Sequence, residues 1–161
     1  MSAQANKELI TKFYTAFKNG DYGTMVACYH PEATFTDALF TLSGKGPGAM
    51  WAMLLSNSAG LALEFSGIDA DETTGRAHWD ATYNFSLTGR QVVNSIDAEF
   101  EFKDGLIYRQ VDTFNFWKWS RMALGVPGVL LGWSSFMQNK VSAGANDNLT
   151  KFIEENPEYK N

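Results

Sequence analysis

From Leu61 onward the apolar residues of this chain recur at every second position, and that pattern constrains its fold more than any other feature. Four runs carry it: "LALEFSGID", "RAHWDATYNFSL", "QVVNSIDAEFEF" and "LIYRQVDTFNFW". A period of two puts successive side chains on opposite faces of a strand. The breaks "ADETTG", "TG" and "KDG" are turn-like, so the four strands are expected to form an antiparallel meander.

Ahead of the meander the period is helical. Leu9, Ile10, Phe13, Tyr14 and Phe17 recur at three- and four-residue steps from Asn6 to Gly20, and "NGD" closes that helix. Asp21 can cap a second short helix over "YGTMVACY", ended by Pro31. "ATFTDALF" reads as a strand and its exit, "SGKGPG" as a turn, and Pro47 suits the start of a third helix, "AMWAMLLSNS". Helices first and a sheet afterwards is an α+β order. The expected architecture is a curved sheet preceded by helices.

Beyond residue 117 the pattern changes again. "WKWSRMALGVPGVLLGW" is apolar but interrupted by Gly and Pro, as in a broken helix or an apolar loop. Phe136, Met137, Val141, Leu149, Phe152 and Ile153 then mark one stripe of a terminal helix from about Ser134 to Glu155. We therefore expect one α+β domain over 1–117 and a helical C-terminal extension over 118–161 packed on it. The apolar segment reads as a lid or an interface element. Lys118, Ser120 and Arg121 interrupt it, and no run approaches the ~20 apolar residues that span a bilayer.

Composition narrows the function classes. A net charge of −5 with no Lys/Arg cluster argues against a nucleic-acid partner. The single cysteine, Cys28, forbids an internal disulfide, and two histidines without paired spacing give no metal site. No dinucleotide or phosphate-loop motif is present, so no cofactor is expected. "MSAQANKELI" lacks the basic and apolar regions of a signal peptide, and the expected location is cytoplasmic, with no membrane partner. The aromatic content, 14%, suits either a core or an apolar pocket.

"FYTAFKNGDYGTMVACYHPEATFTD" resembles the opening of SnoaL-like polyketide cyclases and ketosteroid isomerases of the nuclear transport factor 2-like superfamily. "AEFEFKDGLIYRQVDTF" is similar to the last two strands of the same group. The resemblance implies the cone fold over 1–117, a cone-like curved mixed or antiparallel sheet wrapped around the N-terminal helices, together with a small apolar ligand and a homodimer. It also implies an ordered isomerase pattern of a helix-one Tyr, an Asp at the end of the first strand and an Asp on the penultimate strand. Tyr14 and Asp37 match the first two positions. The third falls on Asp97 from an upstream anchor and on Ala98 from a downstream one.

Alternation weighs these candidates. Val92, Asn94, Ile96, Ala98, Phe100 and Phe102 share the apolar face of one run, which turns Asp97 outward with Glu99 and Glu101 unless a β-bulge between Ile96 and Phe100 brings it inward. Asp37 shares a face with Ala33 and Phe35, and so points towards the cavity end if Phe35 is in the core. Asp112 is the closest match to the late acid/base Asp of SnoaL-like cyclases. It alternates with Tyr108, Gln110, Phe114 and Phe116, but the opposite face is no more polar, so alternation alone does not choose its direction.

The candidate catalytic set is Asp37, Asp112 and Tyr14, with Phe17, Phe35, Trp51, Tyr108, Gln110, Phe114 and Phe116 as ligand-binding candidates. Two functions fit: a cofactor-free isomerase or cyclase abstracting a proton beside a carbonyl, and a non-catalytic ligand-binding or dimerisation module.

Overall fold

Ser2 starts the first helix: its side-chain oxygen accepts from the Ala5 N–H, and α1 (Ala3–Lys18) buries Ile10, Phe13, Tyr14 and Phe17. Asp21 caps α2 (Tyr22–Ala27) through the Thr24 N–H. There follow β1 (Tyr29–Thr36), β2 (Thr41–Ser43), α3 (Gly46–Asn57), β3 (Ala62–Ala70), β4 (Thr74–Asn84), β5 (Gln91–Lys103) and β6 (Leu106–Thr113). The extension adds α4 (Phe116–Leu124), α5 (Val126–Leu131) and α6 (Ser135–Glu155). This computed structural model describes residues 2–57 and 61–161; Ser58, the last residue of "AMWAMLLSNS", lies outside them.

The six strands form one open, curved sheet in the order β2-β1-β6-β5-β4-β3. The meander β3 to β6 is antiparallel as expected, whereas β1 joins β6 in parallel and makes the sheet mixed. The α1 and α3 helices pack their buried residues against this sheet, as in an α+β cone. One core cluster runs from Ile10 and Phe13 through Trp51, Trp79 and Phe100 to Leu149 of α6. A second holds Val92, Phe116, Trp119, Ala123 and Met137.

Three expectations are corrected. β1 starts at Tyr29 and contains Pro31, which the sequence reading placed at the end of a helix. The register shifts between Tyr29 and Thr34, an irregularity that accommodates a residue with no N–H to donate. Next, β6 stops at Thr113, before the end of "LIYRQVDTFNFW", because the Asn115 side chain accepts from the Lys118 N–H and caps α4. Phe116 is therefore helical.

Lastly, Tyr108 does not share a face with Gln110 and Asp112. Glu101 pairs with Arg109 but Phe102 pairs with Ile107, so Tyr108 occupies a bulge. Its ring meets His30 at 5.4 Å and takes Lys103 over its face at 4.9 Å, while Ile107 turns into the core.

Candidate functional site

Asp112 lies on the inner face of the sheet in a row of small neighbours. Its Cα partner on β5 is Ala98, whose partner on β4 is Ala77, and Asp112 is 4% exposed. Gln110, two residues back on the same face, is fully buried. A one-way run of donors ends at this carboxyl. Trp51 Nε1 donates to Tyr29 Oη (2.7 Å), Tyr29 Oη to Gln110 Oε1 (2.5 Å), and Gln110 Nε2 to Asp112 Oδ1 (3.0 Å). Asp112 Oδ2 has no partner among the described residues.

Burial pushes the Asp112 pKa up to about 8; the Gln110 hydrogen bond opposes this, and the charge of Asp37 adds to it. At neutral pH the group is then mainly the protonated acid, and one oxygen can donate.

Two more buried polar atoms beside it lack partners among the described residues. The Tyr14 ring, on α1, packs against Phe65, Trp79 and Phe100 at 5.7–6.3 Å between ring centroids, and its hydroxyl is buried. Burial, then the charge of Asp112, raise its pKa well above the usual tyrosine value, so it is a neutral donor. Trp79 Nε1 draws the Asp112 pKa down without completing a hydrogen bond. An unsatisfied buried donor costs about 1–3 kcal/mol, and three in one neighbourhood call for an acceptor.

Asp37 follows β1 directly. Its Oδ1 accepts from the Leu39 and Phe40 N–H groups at 2.8 Å each, an Asx-type turn that fixes the side chain. Among the described residues Oδ2 makes no hydrogen bond. Burial raises its pKa, and the two N–H contacts oppose the rise. Its charge adds to the rise at Asp112. The same charge reaches Tyr83, whose hydroxyl accepts from Trp119 Nε1 at 2.8 Å.

The SnoaL-like domain model matches residues 10–110, well over half of the chain. The chain belongs to the SnoaL-like domain family. Solved structures with the same fold include a candidate polyketide cyclase from Xanthomonas campestris pv. campestris (TM-score 0.64, 20% identity), covering 76% of this chain and 98% of its own. An LEH-like epoxide hydrolase from M. tuberculosis has a TM-score of 0.64 at 16% identity over 80% of this chain and 96% of its own. A candidate ketosteroid isomerase from Kribbella flavida has a TM-score of 0.54 at 15% identity over 70% and 79%. No functionally curated protein matches the sequence.

Within this SnoaL-like frame, the inward position of the penultimate strand is Ala98, and Asp112 stands directly across the ladder from it. The continuous register Ala77↔Ala98 and His78↔Asp97 turns Asp97 outward, where its side chain is 80% exposed and bonded to His78 at 2.8 Å. Phe17, Phe35 and Trp51 gather in one aromatic cluster, with Trp51 at 4.9 Å from Phe17 and 5.6 Å from Phe35. Phe114 packs on both clusters, whereas Phe116 stacks on Trp119 in the second and Tyr108 stands apart.

Sequence reasoning missed the residues that hold the Asp37 turn. Gln138 Nε2 donates to Ala38 O, and both Ser142 Oγ and Asn146 Nδ2 donate to Leu39 O. Their four-residue spacing on the terminal helix was the available signal. Tyr29, Trp79 and Tyr83 were missed as polar participants because their rings read as core. Among the described residues no cluster suited to a metal ion occurs.

Proposed function

We propose that this protein is a cofactor-free acid/base enzyme for a small, apolar, carbonyl-bearing compound. One observation carries the reading: two carboxyls in one neighbourhood have environments that separate their roles. Asp37, with one oxygen anchored and the other unbonded among the described residues, is the base. Asp112, buried and protonated at neutral pH, is a donor together with Tyr14.

The Asp37 carboxylate takes a proton from the carbon beside the carbonyl. The C–H electron pair forms the C=C bond of an enolate, whose negative oxygen accepts from the Asp112 and Tyr14 hydroxyls. Where the enolate is conjugated with a further C=C bond, return of the proton from Asp37 to its far carbon completes an isomerisation. Attack of the enolate carbon on a second carbonyl, with that proton passing to the new alkoxide oxygen, completes a cyclisation. A positioned base contributes typically ~10²–10⁴-fold. Each donor in a dry site contributes on the order of 10²–10³-fold.

The test uses flat aromatic probes. Solvent deuterium exchange into the methyl group of 2-acetylnaphthalene, followed by NMR, reads proton abstraction; quenching of protein fluorescence by 2-naphthol reads binding. The protein should accelerate exchange, and Asp37→Asn should lower the rate at least ~10²-fold with 2-naphthol affinity retained. Binding without any acceleration would favour a non-catalytic pocket, a reading that the packing of the Tyr14 ring among three aromatic rings also supports.

A further inference from the structure

The α4–α5 hairpin wears its sequence inside out. Gly128 and Gly132 of "GVLLG" face α4 so closely that a Cβ on Gly128 would overlap the Ser120 carbonyl oxygen, and one on Gly132 would overlap Ser120 Oγ. With the small residues turned in, the large apolar ones turn out: Val126, Leu130, Trp133 and Phe136 are each between 64% and 72% exposed. Exposed apolar residues scattered singly are ordinary, but a contiguous group marks a surface that something covers.

The charge around this patch says what covers it. Between Thr113 and Asn146 the chain has Lys118, Arg121 and Lys140 and no carboxylate, although its net charge is −5. Beside the patch is a groove of about 570 Å³ lined by Arg90, Gln91, Lys118, Arg121 and Met122. Arg90 Nε donates to Met122 O, which fixes that side chain, and Arg121 stacks on the Trp117 ring at 4.6 Å. Among the described residues none of Arg90, Lys118, Arg121 and Lys140 forms an ion pair. A second copy docked through the same patch about a two-fold axis would set these cations against their own images. A surface of anionic headgroups over acyl chains complements both features.

We propose that the α4–α5 hairpin and the start of α6 form a peripheral membrane-docking face: Val126, Leu130, Trp133 and Phe136 enter the headgroup–acyl boundary, and the groove of Arg90, Lys118 and Arg121 holds lipid phosphate. No helix among the described residues is long and apolar enough to cross a bilayer, so the contact is with one leaflet. The exposed indole of Trp133 donates its N–H to Leu130 O, which leaves its ring faces for the interface. The proposal stands independently of the acid/base reading.

Flotation of the full chain with vesicles tests it, using phosphatidylcholine alone and phosphatidylcholine with phosphatidylglycerol at low and high salt. Binding should favour the anionic vesicles by about tenfold or more and weaken with salt. Leu130→Glu/Trp133→Glu should abolish it, and Lys118→Gln and Arg121→Gln should each reduce it on the order of fivefold. All four positions carry exposed side chains, and unchanged near-ultraviolet circular dichroism checks the fold. Inorganic phosphate at the same ionic strength should not displace the protein; displacement would mean that the groove takes free phosphate and would overturn the lipid assignment. Absence of vesicle binding, or light scattering showing a dimer that Leu130→Glu/Trp133→Glu dissociates, would also overturn it.

Discussion

A protonated aspartate such as Asp112 leaves a signature in stability as well as in chemistry. Between the ordinary carboxyl value of 3.8 and about 8, the folded chain keeps a proton that the unfolded chain has released. Stability therefore falls as pH rises through that window and levels off above it. Asparagine has the same shape, can donate as the protonated acid does, and does not titrate. Asp112→Asn should gain on wild type between about pH 5 and 8, by an amount on the order of a few kcal/mol, read from urea unfolding across that range. If Asp37 and Asp112 act as proposed, the exchange rate should follow a bell. Its acid limb would come from Asp37, raised above 3.8 by burial, and its alkaline limb from Asp112 at about 8. Asp112→Asn should remove the alkaline limb.

At the scale of elements, the helices of the extension have separate tasks. The α6 helix holds the Asp37 turn through Gln138, Ser142 and Asn146, and so positions a residue far earlier in the chain. The α4–α5 pair depends on glycine at the contact. Gly128→Ala would drive a methyl group into the Ser120 backbone carbonyl, which cannot rotate away, and should cost about 1–3 kcal/mol. Gly144 gives the contrast: it is inside α6, and a methyl group there would meet nothing within 4 Å. Gly144→Ala should stabilise by roughly 0.5–1 kcal/mol, because alanine has less backbone freedom to lose in a helix. Thermal melts of the two variants against wild type should move in opposite directions.

For the whole molecule, the main core joins Ile10 and Phe13 of α1 to the sheet and to Leu149 of α6, with Phe152 and Ile153 packed against it. An extension that shares a core should not melt separately. Calorimetry should show one transition for the full chain, with calorimetric and van't Hoff enthalpies equal. Truncation after residue 134 should lower its midpoint sharply by exposing that core and freeing the Leu39 carbonyl.

Local rules were enough to read the meander, the cap at Asp21, the terminal helix from about Ser134 and the outward Asp97, because alternation and capping act over a few residues. The Gly125 break between α4 and α5, at φ 70°, was legible for the same reason. Tyr14, Asp37 and Asp112 became candidates through the resemblance of their surrounding sequence to SnoaL-like cyclases and isomerases. The sequence could not say that Asp112 faces inward, because both faces of its run look equally apolar. Nor could it say that Tyr108 is expelled by a bulge or that α6 grips the Asp37 turn. Those outcomes depend on which strand pairs with which and in what register, through contacts between residues far apart in the chain. Whether Asp112 stays protonated was likewise a tertiary decision, because its pKa follows the depth of burial and the nearness of Asp37.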